Sequence, residues 1–89
     1  MNTKQVIKEV HSKESTANET LYFPFANGEV TTGIIFSEPT GYVIKTVENN
    51  NEISSGSNSK TESLGMLETH CLIVETTKSV TVEVYTNKH

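Results

Sequence analysis

His70 and Cys71 are adjacent, and no other neighbouring pair in this 89-residue chain combines two reactive side-chain types. An imidazole beside a thiol could form a nucleophile–base dyad or two arms of a metal site. On a strand, however, successive side chains point to opposite faces, so the two cannot serve one reaction or one ion together. Cys71 shares its expected face with Ile73 and Val82, and is read as a buried, inert thiol. His70 shares a face with Leu72 and Tyr85, and is read as a surface or interface histidine. His11 and His89 stand alone in the sequence. A zinc site needs three or four converging donors, and no ligand spacing announces one, so no metal and no cofactor are expected.

The remaining catalytic signatures are missing from the sequence. No serine lies in a G-x-S-x-G elbow; Gly56-Ser57 is only a dipeptide in a polar stretch. No glycine-rich phosphate loop follows a strand into a helix. The glutamates are scattered, and sequence alone sets no two of them at catalytic separation. The expectation is a protein with no catalytic residues, and not an enzyme.

Composition narrows the partners. All eleven acidic residues are Glu and all seven basic residues are Lys; Asp, Arg and Trp are absent, and the net charge is −4. Without Arg there is no bidentate fork for phosphate or guanine, so nucleic acid is not expected as a partner. No apolar run approaches the ~20 residues of a membrane-crossing helix, and no membrane partner is expected. A single cysteine allows no intrachain disulfide. Together with a polar start to the chain, Met1-Asn2-Thr3-Lys4-Gln5, it suggests a reducing, cytoplasmic setting. A chain this short forms one small domain of marginal core size, for which self-association is the cheapest added stability.

The elements that must position any site read as strands. Thr, Ser, Asn and Val are abundant while Ala and Leu are scarce, which favours strands and turns. Val80, Val82 and Val84 alternate with Thr81, Glu83 and Tyr85, the period of a half-buried strand. With Cys71-Leu72-Ile73-Val74 and a loop at 76–79 they predict a hairpin, setting Glu75 opposite Val80 and Ile73 opposite Val82. In that register Cys71, Ile73, Val82 and Val84 share the core face, and Leu72 and Val74 point away from it. A second hairpin is predicted over 20–36, turning at Asn27-Gly28 through a four-residue loop from Ala26 to Glu29, with Phe25 opposite Val30. Its first strand would be an edge strand because of Pro24. Residues 5–12 predict a further short strand, with a helical turn as the competing reading.

A turn is predicted at 37–41, around Pro39 and Gly41, and a strand at 42–48. Residues 49–63 read as a long polar loop with Ile53 as a lone apolar anchor; such a loop is usually functional or disordered. Residues 1–4 and 87–89 are expected to fray. The sum is an all-β domain: a small antiparallel β-sandwich or partly open barrel of five to six strands, with Phe23, Phe25, Ile34, Phe36, Ile73, Val82 and Val84 in its core.

The function expected from these features is a small acidic non-catalytic module that captures a protein partner, as an inhibitor or adaptor would, and is homo-oligomeric. Partner binding is assigned to the polar stretch through Glu52, Ile53, Asn58, Lys60 and Glu62. The oligomer interface is assigned to Leu72, Val74, Tyr85 and His70. Two alternatives stand beside it. One is a structural subunit of a ring, shell or coat. The other is a small-ligand binder or enzyme with its site between protomers, using Tyr22, Tyr42 or Tyr85.

Overall fold

A computed structural model describes residues 7–48 and 50–88. It contains six strands and, among the described residues, no helix: β1 (Ile7–Glu14), β2 (Thr20–Pro24), β3 (Val30–Thr46), β4 (Glu52–Glu68), β5 (Cys71–Thr76) and β6 (Thr81–Lys88). All pairings are antiparallel, and they join every strand into one sheet. The sheet is curled into a half-barrel, so the partly open barrel is the form the chain takes.

The curl is organised by β3. Its first half, Val30 to Phe36, pairs β6, and its second half, Tyr42 to Thr46, pairs β5. β4 runs along the other side of β3 for nearly its whole length. β1 continues the sheet beyond β6, and β2 continues it beyond β5. The middle of β3 breaks register against β4 around Thr40, where Pro39 has no N–H to give to a ladder. The strand bends there. Ser54 and Glu62 of β4 show how sharply: eight residues apart, about 26 Å in a straight strand, they hydrogen-bond side chain to side chain.

Bending brings the inner faces of the two halves together. Ile34, Phe36, Val82 and Val84 meet Phe23, Tyr42, Ile44, Leu72 and Val74 in one buried core, with Phe25, Leu21, Leu64 and Leu67 packed at its margin. The Phe36 and Tyr42 rings lie 4.9 Å apart across the bend. Gly56 of β4 is needed beneath Tyr42, because a Cβ there would come within 2.7 Å of the ring.

Several expectations are corrected. β5 and β6 do not form a hairpin with each other; both pair β3, end to end along one side of it. The inner face of β5 is therefore Leu72 and Val74, both 0% exposed, while Cys71 and Ile73 are half-buried on the outer face. β2 pairs β5 rather than β3. The turn from Ala26 to Glu29 does form, with Glu29 N–H donating to Ala26 O at 3.2 Å. Gly28 has φ +81°, the mark of a type II turn, whose geometry splays flanking strands instead of pairing them. Residues 37–41 are not a separate turn but the bent middle of β3. Residues 52–63 are not a loop but most of β4. The reversal between β3 and β4 is shorter than expected and includes Asn50 at φ +52°, with its N–H on Thr46 O at 2.8 Å. Asn87 and Lys88 belong to β6 and are ordered in pairing with β1. The strand expected near the start is present as β1, while Gln5, Val6, residues 1–4, Asn49 and His89 lie outside the described residues.

Candidate functional site

Three features could carry function: a polar cluster at one end of the core, a histidine–glutamate pair at the surface, and the edge of β4.

The polar cluster is built on Glu29, whose carboxylate is buried between β1 and β6. The turn that ends in Glu29 returns its side chain to its own start, where Oε1 accepts the Ala26 N–H at 3.0 Å. Oε2 accepts from His11 Nε2 at 2.6 Å and from the Thr86 hydroxyl. Burial pushes this carboxyl up, but the hydrogen bonds from Thr86, His11 and Ala26 outweigh it and hold it below its ordinary range. The His11 ring stands edge-on to Phe25 at 5.2 Å. Glu9 adds a second carboxylate 3.9 Å from His11 Nε2. Glu9, His11 and Glu29 could together offer a metal three donor atoms, all within 4.8 Å of one another. Both carboxylate oxygens of Glu29 already accept hydrogen bonds, which makes the cluster a satisfied link between β1, β6 and the turn at 26–29. No local spacing signals it, because its members are brought together by register alone.

The second pair is Glu48 with His70. Glu48 accepts from the Thr69 hydroxyl, from His70 N–H at 2.8 Å and from His70 Nδ1 at 2.6 Å. The Thr69 hydroxyl and the His70 donors hold its carboxyl at about 2. His70 is exposed, so this pair pins the chain at the entry to β5 rather than enclosing a site.

The side chains assigned to partner binding all lie on β4. Glu52, Asn58 and Lys60 are exposed, and Ile53 is 39% exposed. Glu62 is half-buried and turns inward, where Ser54 donates to it and the Tyr42 hydroxyl bonds it. Burial, then the bond to Glu62 and its charge, push the Tyr42 phenol up. Of the residues assigned to an oligomer interface, Leu72 and Val74 are core residues with no surface to offer; the four-residue apolar run does not itself say which of its faces points inward. Tyr85 is half-buried on the outer face and His70 is exposed. The three tyrosines are not brought together: Tyr42 lies inside, while Tyr22 and Tyr85 lie outside on opposite halves of the sheet.

What distinguishes β4 is its backbone. β3 occupies one of its edges; among the described residues nothing pairs the other. The other two sheet edges are defended. Half of the eight residues of β1 are charged, and β2 is five residues long and ends in Pro24. In β4, positions 53–59 carry no charge and no proline. No protein family, no curated protein and no solved structure matches this chain.

Proposed function

We propose that this chain is a small non-catalytic protein-recognition module that binds a strand of its partner to the open edge of β4. The observation that carries this is a seventeen-residue edge strand whose outer row of N–H and C=O groups is unpaired among the described residues. Such an edge is a template for strand addition: backbone hydrogen bonds supply affinity, and alternating side chains supply selectivity. Ile53, Asn58 and Lys60 are among the exposed side chains beside the added strand, with Glu52 near its end. The absence of charge over 53–59 removes the usual barrier to such pairing. The reading fits an adaptor, an inhibitor or a subunit of an assembly, and carries with it a reducing, cytoplasmic setting, supported by the single thiol. Among the described residues no helix is long and apolar enough to cross a membrane.

Hydrogen exchange tests the reading. The immobilised chain is used to isolate a stoichiometric protein partner, identified by mass spectrometry. Exchange is then compared with and without the purified partner. Slowed exchange concentrated in 52–68 is expected. Protection confined to the β1 edge, or to the outer face around Tyr22 and Ile73, would refute the β4 edge as the binding element.

A further inference from the structure

β4 is not only open; over Glu52–Met66 its burial pattern is symmetric about Ser59. From Glu52 to Met66 the half-buried positions are Ser54, Gly56, Ser59, Glu62 and Leu64, and every other position is exposed. Measured from Ser59, these lie at −5, −3, 0, +3 and +5. The pattern reads the same in both directions. The centre of symmetry is also the centre of the bend, since Ser59 pairs Thr40, where β3 breaks register on both sides.

We infer that the strand added to β4 is β4 of a second copy of this chain, paired antiparallel about a two-fold axis through Ser59. The inference rests on the edge-binding reading above and names its partner. Two bent strands can pair edge to edge along their length only if their bends coincide. A two-fold axis through the bend meets that condition, and antiparallel self-pairing requires a two-fold axis. The register then follows. Ser55 lies opposite Ser63 of the second copy, Asn58 opposite Lys60, Gly56 opposite Glu62, and Ile53 opposite Gly65. Inward positions meet inward positions, and outward meet outward, throughout 52–66. Directly opposed residues share a face in any antiparallel pair, so this match is a requirement and not a refinement.

Charge agrees with the same register. No two like charges are opposed in it: Lys60 meets Asn58, Glu62 meets Gly56, and Glu52 meets Met66. Moving the axis to Lys60 opposes Lys60 to itself and Glu52 to Glu68. Moving it to Ser57 opposes Glu52 to Glu62 twice. Either shift also breaks the match of faces. The dimer would cover the one undefended edge of each half-barrel and join the two sheets into one.

Three measurements test this. Native mass of the purified chain at tens of micromolar is expected to equal two chains. The double variant S55K/S63K opposes lysine to lysine twice in the proposed register, and is expected to weaken association at least tenfold. S55K/S63E opposes lysine to glutamate twice and is expected to restore it. Independently, in a Cys71→Ser background, Ser59→Cys sits on the axis. Opposed Cα atoms of about 4.5–5.5 Å suit a disulfide, so oxidation is expected to link two chains. Ser57→Cys, offset four residues from its own copy, is expected not to link. A native mass of one chain with no Ser59→Cys link would overturn the inference, as would a dimer indifferent to S55K/S63K. The two proposals separate cleanly. A monomeric chain whose β4 is protected by a different protein loses the self-pairing but keeps the edge; a partner that protects another surface removes both.

Discussion

β3 and β4 are each seventeen residues long, are paired to each other, and bend at the same place, yet they are opposites in burial. β3 has partners on both edges and supplies Ile34, Phe36, Tyr42 and Ile44 to the core. Among the described residues β4 has a partner on one edge, and it has no fully buried side chain. The contrast separates two ways of making a strand. β3 is held by side chains that leave water, whereas β4 is held chiefly by the backbone ladder to a neighbour that is already fixed. A strand of the second kind needs little from its own sequence, and what it leaves unused is its outer edge.

The contrast can be broken first at β3. Phe36 is fully buried and touches Tyr42 across the bend. Phe36→Ala should cost on the order of 3–5 kcal/mol, read as a fall in the urea midpoint with little change in slope. A cost below about 1 kcal/mol would mean that β3 is not the element on which the fold depends.

A smaller effect is expected where β3 begins. Glu29 ties the turn before β3 to β1 and β6. Glu29→Gln keeps the shape but replaces one acceptor oxygen with a donor group facing donors, and should cost about 1–3 kcal/mol at neutral pH. The sign with pH is determined. The folded carboxyl titrates below its ordinary value of 4.5, so its contribution is present above that pH and is lost as pH falls through the lower, folded value. The stabilities of the parent and of Glu29→Gln should therefore converge on acidification. A gap that stays constant from neutral pH down to pH 3 would show that the carboxylate charge plays no part.

How much of this was legible in the sequence follows from the same physics. Alternation in Val80-Thr81-Val82-Glu83-Val84 gave β6 and its inner face directly, and Phe23, Ile34 and Phe36 were found the same way. Cys71-Leu72-Ile73-Val74 has no alternation, so its inner face depends on which strand it pairs; a hairpin with β6 would bury Cys71 and Ile73, whereas pairing with β3 buries Leu72 and Val74. The buried positions Leu72, Val74, Thr76, Val80, Val82, Val84 and Thr86 are all even-numbered. β5 and β6 thus keep one parity through their junction, as a single bent strand would; that regularity was present in the sequence, but a turn-centred reading hides it. β4 was missed for the opposite reason. Asn and Gly are poor strand formers, and it is the ladder to β3, with Leu64 and Leu67 at the core margin, that makes 52–68 a strand. The residues assigned to partner binding share one element because they are neighbours in sequence, while the Glu29 cluster, spread over residues 9, 11, 29 and 86, leaves no trace that local spacing could show.

The smallest effect is the sharpest test of what holds β4. Ile53 is the only large apolar residue in the first half of the strand, and it stands 39% exposed. If β4 is held by its ladder to β3, removing this side chain takes little apolar surface from the fold. Ile53→Ala should then change stability by no more than about 0.5 kcal/mol, the range of ordinary surface substitutions. The variant should still show slow exchange for those β4 amides that bond β3. A cost near 2 kcal/mol would place Ile53 among the packed residues, and β4 would then be a strand of the same kind as β3. The outcome also bears on the open edge: a strand fixed by one ladder keeps its shape when its exposed side chains change, so substitutions at exposed positions such as Ser55 and Ser63, away from Gly56 beneath Tyr42 and Leu64 at the core margin, can be read for their effect on pairing without first being read for their effect on folding.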